Sequence, residues 1–150
     1  MEQTDTLQLR PATMDDARLL FDWVNAPDSL ASKAATTSPI DWSTHRAWLA
    51  ARIGDSDCLL EIIEVEGRPA GQVRLEPGRR GHLVDIYVSA AHRRSGLARA
   101  ALGGALERCS ARPVVALVKS DNSASQALFR SLGFRETGSD GALMIFERKD

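Results

Sequence analysis

A short stretch with three arginines and one glycine has the residue types of an anion-binding turn. Arg93, Arg94 and Arg99 carry positive charge, and Gly96 has no Cβ to keep a ligand away from the backbone. Apolar and polar residues alternate before the stretch, as in a strand, and apolar residues recur at helical spacing after it. The turn is therefore predicted to open a helix, and the first N–H groups of a helix favour a negative charge. We therefore predict a phosphate-binding turn, the alternative being an ordinary turn with solvated arginines. The predicted turn consists of Arg93, Arg94, Ser95, Gly96, Leu97, Ala98 and Arg99.

The segment before this turn, residues 82–89, carries two side chains that can exchange protons. It alternates between apolar and polar residues, which predicts a half-buried strand. Asp85 and Tyr87 lie on one face of that strand, opposite three apolar residues. A carboxylate can accept a proton and a phenol can donate one. The alternative for Asp85 is a structural ion pair with a nearby arginine.

Composition and the absence of other motifs exclude several classes of function. The 150 residues include 19 basic and 20 acidic ones, a balance that predicts neither a nucleic-acid nor a membrane partner. Neither G-x-G-x-x-G nor G-x-x-x-x-G-K-[ST] occurs, which excludes a Rossmann fingerprint and a P-loop. The polar start predicts no signal peptide. Cys58 and Cys109 fit neither a metal spacing nor a disulfide framework, so we expect free thiols in a reducing cytoplasm.

Periodicity along the chain predicts the element order β-α-α-β-β-β-α-β-α-β-β. This order is neither strict βαβ alternation nor all antiparallel, so it predicts an α/β fold with a mixed sheet and helices on both faces. The length suits one domain, residues 1–150. Residues 29–41 lack periodicity and are predicted to be a loop near the substrate site. Ser43 is the predicted cap of the second helix, and Ser123 with Gln126 forms a predicted capping box.

Two motifs resemble those of the GNAT superfamily of acetyltransferases. Arg93-x-x-Gly96-x-Ala98 resembles the family's [Q/R]-x-x-G-x-[G/A] loop, and the segment from Asn122 to Phe134 resembles its second motif. The two motifs occur here in the family's order and at its separation. The resemblance implies the GNAT fold, a mixed and mostly antiparallel central sheet with a splayed strand pair and helices on both faces.

The same resemblance implies acetyl-CoA as cosubstrate, no metal, and acetyl transfer to a primary amine. In the family, the loop amides hold the pyrophosphate of coenzyme A, and amides of the preceding strand pair with the pantetheine arm. Here Val88 would provide such an amide, and Arg94 and Arg99 would add charge-assisted contacts. The residues that the resemblance places along the pantetheine arm are Asn122, Ser125 and Phe129. The alternative for Asn122 is a structural role at the start of a helix.

Proton handling departs from the family pattern at one position. Asp85 occupies the strand position where many members place a general-base glutamate. Many members carry a tyrosine where this chain has Phe129, and phenylalanine has no proton to give to the departing thiolate. We therefore predict Asp85 and Tyr87 as the catalytic residues. The alternatives are proton donation by water, and an acetyl-CoA-binding sensor without turnover.

The N-terminal half resembles one branch of the superfamily, which includes the nucleotide-amino-sugar N-acetyltransferases. The resemblance lies in Trp-Val-Asn at 23–25, His-x-x-Trp at 45–48 and Gly-Gln-Val-Arg at 71–74. It implies a nucleotide-linked amino sugar as acceptor, with protein N-termini or other small amines as alternatives. The implied substrate-binding residues are Trp23, Asn25, His45 and Arg74. A homodimer is one candidate assembly.

Overall fold

The computed structural model describes residues 7–32 and 38–150. The helices of this part of the chain are α1 (Ala17–Val24), α2 (Pro27–Ser32), α3 (Trp42–Ile53), α4 (Leu97–Arg108) and α5 (Ser123–Ser131). The strands are β1 (Leu7–Pro11), β2 (Leu59–Val65), β3 (Arg68–Pro77), β4 (His82–Val88), β5 (Val114–Lys119), β6 (Arg135–Asp140) and β7 (Leu143–Arg148). Apart from α2 and two 3₁₀ turns, at Met14–Asp16 and Ala90–His92, the element order is the predicted one.

The strands form one sheet in the order β1-β2-β3-β4-β5-β7-β6. Neighbouring strands are antiparallel except for β4 and β5, which are parallel. The predicted α/β fold with a mixed, mostly antiparallel sheet is therefore confirmed.

The parallel strands β4 and β5 are paired only where they begin. His82 pairs with Val114 and Leu83 pairs with Val115, and these are their paired positions among the described residues. At this closed end, a Cβ on Gly81 would collide with the backbone of Pro113, so only glycine permits the close approach. Beyond it the strands separate, as the predicted splayed pair requires, and the edge of β4 can face a ligand.

The two faces of the sheet pack against different helices. On one face, Val73 of β3 and Val84 of β4 belong to a core cluster with Leu102 of α4 and Phe129 of α5. Because side chains alternate along a strand, the next residues of β3 and β4 face the opposite side.

The opposite face combines an apolar part with a polar part. Its apolar part is a second cluster, in which Leu60 and Ile62 of β2 pack against α1 and α3. Its polar part lies on β3 and β4, where Arg74 is paired with Asp85 and Gln72 with Tyr87. The two predicted catalytic side chains therefore share one face, as the alternation predicts.

Residues 29–41 are not one loop, which corrects the prediction. The chain forms α2 through Ser32, while residues 33–37 of the predicted loop lie outside the described residues. A six-residue helix is too short to show helical periodicity in the sequence, which explains the error.

Both predicted helix caps are also wrong, because a different side chain accepts the backbone N–H in each case. Asp41 rather than Ser43 caps α3, since its Oδ1 accepts a hydrogen bond from Thr44 N at 2.8 Å. Asn122 rather than Ser123 caps α5, since its Oδ1 accepts one from the backbone three residues later at 3.1 Å. In both helices an Asx side chain provides the cap.

Cys58 and Cys109 are free thiols, as predicted. Burial raises the pKa of the Cys58 thiol to about 11, and the nearby Glu76 carboxylate adds to this effect. No helix within residues 7–32 and 38–150 is long and apolar enough to cross a membrane. In the same ranges, no group of three or more His, Cys, Asp or Glu side chains is arranged to hold a metal ion.

Candidate active site

A cleft of about 420 Å³ opens where β4 separates from β5. Its walls include residues 83–87 of β4, Leu117 and Val118 of β5, and side chains from α1, α3 and α5. The predicted site residues that line this cleft are Trp23, His45, Arg74, Asp85, Tyr87, Asn122, Ser125 and Phe129. The fold thus brings together residues that lie more than a hundred positions apart in the sequence, such as Trp23 and Phe129.

Asp85 is held by two side chains of β3. Gln72 Nε2 donates a hydrogen bond to Asp85 Oδ2 at 2.7 Å, and Arg74 Nη1 lies 3.7 Å from the same oxygen. Arg74 is itself fixed, because its Nε lies 2.5 Å from Glu76 and its guanidinium lies 4.8 Å from the ring centroid of Trp48. The predicted ion pair of Asp85 with an arginine is therefore present, in a position that still lines the cleft.

Gln72 is a site residue that the sequence analysis did not identify. It is 6% exposed, and the assignment of its amide is clear because only its NH₂ group can donate to a carboxylate. Its Oε1 has no hydrogen-bond partner among the described residues. The available signal was the alternation in Gly-Gln-Val-Arg, which places Gln72 on the same face as Arg74.

Tyr87 lies in the cleft wall beside Trp23, and Arg93 contacts its ring. Its ring centroid is 5.6 Å from that of Trp23, and the Arg93 guanidinium lies 5.5 Å from it. Burial raises the pKa of the phenol, and the negative charge of Asp28 raises it further, while Arg93 opposes both. The phenol therefore keeps its proton at neutral pH and is able to donate it.

His45 is buried in a group of aromatic rings. It is 3% exposed, and its ring centroid lies 5.6 Å from that of Phe21 and 5.8 Å from that of Trp48. Burial lowers the pKa of the imidazole, although a hydrogen bond with the Ala17 backbone opposes the shift. The neutral ring is thus the expected form at neutral pH, and it lines the same cleft.

Asn25 is the predicted substrate residue that does not line this cleft. Its Nδ2 donates to the Ile40 carbonyl at 2.9 Å, and its Oδ1 accepts from Ile40 N at 2.8 Å. The amide therefore joins the end of α1 to the segment that leads into α3.

The predicted phosphate turn has the backbone geometry of an anion site. Gly96 is the N-cap of α4 with a left-handed φ of 80°, and no side chain caps the helix. A Cβ built on Gly96 would meet nothing within 4 Å, so the space above the turn is open. Ser95 Oγ donates to the His92 carbonyl at 2.6 Å, which tightens the turn. Leu97 is buried and Ala98 is half-buried, so these two residues anchor the helix start.

The three arginines of the turn behave differently. Arg94 and Arg99 are exposed, and neither forms an ion pair or side-chain hydrogen bond within the described part of the chain. Arg93 instead turns towards the end of β4, where its Nε donates to the Val88 carbonyl at 2.8 Å and its Nη2 pairs with Asp28.

The sequence of residues 19–134 matches the family model named acetyltransferase (GNAT) family. The chain belongs to the GNAT acetyltransferase family. A search of curated proteins finds no match.

Solved structures of similar fold agree with this assignment. A provisionally named phosphinothricin N-acetyltransferase is 26% identical and has a TM-score of 0.80 over 95% of this chain and 98% of its own. The ribosomal-protein-alanine N-acetyltransferase of Brucella melitensis is 24% identical, with a TM-score of 0.81 over 95% and 99%. The provisionally named acetyltransferase yncA of Salmonella typhimurium, solved with its cofactor acetyl-CoA, is 24% identical, with a TM-score of 0.77 over 96% and 94%. These comparisons confirm a GNAT acetyltransferase, and the amino-sugar branch stays a prediction.

In this GNAT acetyltransferase, the residues on the α5 side of the cleft serve the fold as well as the cavity. Asn122 caps α5 through Ser125 N, so the predicted structural alternative for Asn122 is present, and both residues still line the cleft. Phe129 packs 5.2 Å from Phe134 and 6.4 Å from Phe146, measured between ring centroids. The cleft wall is therefore apolar at Phe129, the position at which the resemblance implies a tyrosine in many members.

Proposed function

We propose that this acetyltransferase transfers the acetyl group of acetyl-CoA to a primary amine of a small molecule. The observation that carries the proposal is the separation of β4 from β5 ahead of the phosphate turn, in which Gly96 starts α4. An extended arm lying along the free edge of β4 would pair with backbone groups such as those of Val88. The same arm would then reach the open N-terminus of α4 with its phosphates.

The residues of the turn fit a pyrophosphate group. No side chain caps the first N–H groups of α4. Because Gly96 has no Cβ, a ligand can come close to the backbone at this point. Arg94 and Arg99 are exposed and have no partner in the described ranges, so they can add charge-assisted contacts without breaking an existing ion pair. No acidic residue occurs in the first turn of α4 to repel an anion.

Bound acetyl-CoA would supply the acetyl group as a thioester, and the chain's own residues would orient the amine and manage two protons. Asp85, directly or through one water, accepts the proton that the amine loses as its nitrogen bonds to the acetyl carbon. Tyr87 holds the proton that the sulfur takes up as the carbon–sulfur bond breaks. Holding both groups in one cleft supplies a large part of the expected acceleration.

We propose a nucleotide-linked amino sugar as the acceptor. Support comes from Trp23, His45 and Arg74, three of the residues that carry the branch resemblance, which line one cleft together with Asp85. Their indole, imidazole and guanidinium groups suit a ligand that combines flat and polar parts.

A second acceptor is favoured by one comparison. The provisionally named phosphinothricin N-acetyltransferase has the highest identity of the structures described above. Phosphinothricin is therefore the second candidate substrate.

Thiol release from acetyl-CoA over a panel of amines tests the proposal. The panel contains nucleotide-linked amino sugars, free amino sugars, phosphinothricin, spermidine and a peptide with an N-terminal alanine, and mass spectrometry identifies each acetylated product. Turnover of an amino sugar supports the proposed acceptor. Acetylation of the peptide alone contradicts a small-molecule acceptor, and acetyl-CoA binding without turnover on any amine favours a sensor.

A further inference from the structure

One guanidinium group of the phosphate turn contacts two elements beside the cleft, β4 and α2. Arg93 Nε donates to the carbonyl of Val88 at 2.8 Å, and Val88 is the last residue of β4. Its Nη2 pairs with Asp28 Oδ2 on α2. Its Cζ lies 5.5 Å from the ring centroid of Tyr87, within the distance of a cation–π interaction.

These contacts leave Arg93 poorly suited to bind a phosphate. Its positive charge is already balanced by Asp28, whose pKa is lowered chiefly by the hydrogen bond from Arg93. A phosphate would have to compete with that carboxylate for the same guanidinium. Arg94 and Arg99, in contrast, have no such partner in the described part of the chain.

The same contacts place Arg93 next to the cleft wall, beside Tyr87 at the end of β4. Its bond to Val88 fixes the backbone at the end of β4, and its ring contact fixes one side of Tyr87. Its bond to Asp28 holds α2 against the site, and Ser29 of that helix is 1% exposed and lines the cleft.

We propose that Arg93, together with Asp28, is a positioning residue for Tyr87 and for the end of β4, and is not a ligand of the coenzyme A phosphates. The inference rests on the proposed function in taking Tyr87 as the proton donor to the departing sulfur. In that step the carbon–sulfur bond breaks while the carbon–nitrogen bond forms, and the proton of the Tyr87 hydroxyl moves to sulfur. Solvent then returns a proton to the phenolate.

A donor without phosphates separates the two roles of Arg93. S-acetylpantetheine has the same thioester and arm as acetyl-CoA but lacks the pyrophosphate and the nucleotide. The Arg93→Met variant should lose kcat by about ten- to a hundredfold, and by the same factor with both donors. The matched variants Arg94→Met and Arg99→Met should instead lose kcat/KM mainly with acetyl-CoA, because they remove charge near the phosphates. Loss in Arg93→Met with acetyl-CoA alone, or no loss with either donor, overturns the inference.

A double-mutant cycle tests the role of Asp28. Asp28→Asn should lower kcat with both donors, and the double variant Asp28→Asn/Arg93→Met should be little worse than Arg93→Met alone, because the two residues act as one unit. Additive losses would contradict this coupling. Arg93→Lys, which keeps the charge but not the bond from Nε to Val88, should remain impaired with both donors. Full activity of Arg93→Lys would contradict a positioning role.

Tyr87 also provides a readout that needs no turnover. It is the only tyrosine in the chain, so the absorbance change on forming tyrosinate in the folded protein reports this residue alone. The charged groups that act on it within the described ranges are Asp28 and Arg93, while its other neighbours Trp23 and Gln72 are uncharged.

The two charges should shift the Tyr87 titration in opposite directions. A positive neighbour stabilises phenolate and a negative one opposes it, so the Tyr87 pKa should rise in Arg93→Met and fall in Asp28→Asn. Unchanged titrations in both variants overturn the contact. An inactive wild-type protein would contradict the proposed function instead, while this titration would still decide the position of Arg93.

Discussion

Asp85 and Tyr87 are close in sequence, but the protein surrounds them differently. Asp85 lies between an amide donor from Gln72 and the guanidinium of Arg74, which both stabilise its charged form. Tyr87 lies beside Trp23 and the ion pair of Arg93 with Asp28, and burial keeps its phenol protonated. A charged carboxylate and a neutral phenol on one strand face are the forms that a base and an acid need.

If Asp85 is the base, the Asp85→Asn variant should react more slowly, and its rate should no longer depend on the ionisation of this carboxyl. We expect kcat to fall by roughly ten- to a thousandfold, because asparagine keeps the shape but accepts no proton. Any part of the ascending limb of the pH–rate profile that Asp85 sets should disappear, which leaves the limb set by ionisation of the amine. An Asp85→Asn variant with wild-type kcat/KM and an unchanged limb would show that the aspartate is structural.

The role of Tyr87 as acid predicts a loss that can be partly rescued at another position. Tyr87→Phe should lower kcat by about ten- to a hundredfold, since the chain contains no second phenol. Phe129→Tyr alone should change kcat little, because Tyr87 already donates. In the Tyr87→Phe background, however, Phe129→Tyr should restore part of the lost rate. Tyr87→Phe at the wild-type rate, measured with a saturating amine, would mean that water donates the proton.

Individual residues show how far the sequence can predict this site. Motif positions such as Asp85 and Asn122 are predicted because a resemblance places them on particular elements. The pairing of Arg93 with Asp28 is not predictable, since it joins residues 65 positions apart on separate elements. Gln72 carries no chemical signal by itself, and only the register of β3 against β4 places it beside Asp85.

Among the elements, β4 and the turn after it determine what the site can bind. Among the described residues, the strand is paired to β5 at His82 and Leu83 alone, and residues 84–87 line the cleft. Gly96 then starts α4 in a left-handed conformation with open space above it. The sequence predicts both elements from periodicity and one glycine. The six-residue α2 is too short to show a helical period, and the Asx caps depend on local side-chain bonds.

The turn predicts that Gly96→Val weakens coenzyme A binding strongly. The new side chain would occupy the open space above the helix N-terminus, where we place the pyrophosphate. Valine is also strained at a positive φ, so a control with the same strain is needed. Gly141 has a φ of 62° and open surroundings in the turn between β6 and β7, and Gly141→Val should bind coenzyme A like wild type. Unchanged coenzyme A affinity in a folded Gly96→Val protein, measured by calorimetry, would contradict the placement of the phosphates.

For the whole molecule, the order of elements and the fold class were predictable because most strands and helices are long enough to show their periods. The sheet order with β7 between β5 and β6 depends on contacts over long distances in sequence, and only the family resemblance anticipated its splayed strands. The match of residues 19–134 to the family model shows that the chain belongs to the GNAT family, and the solved structures share its fold.

The most direct test of the account is to follow the acetyl group itself. Wild-type protein is incubated with acetyl-CoA that carries an isotopic label in the acetyl group, together with a nucleotide-linked amino sugar, and the products are analysed by mass spectrometry. We predict that the label appears as an amide on the amine nitrogen, with one free thiol formed for each labelled product. Labelled acetate without any labelled amide, or no release of label from bound acetyl-CoA over the whole amine panel, would contradict amine acetylation by this protein.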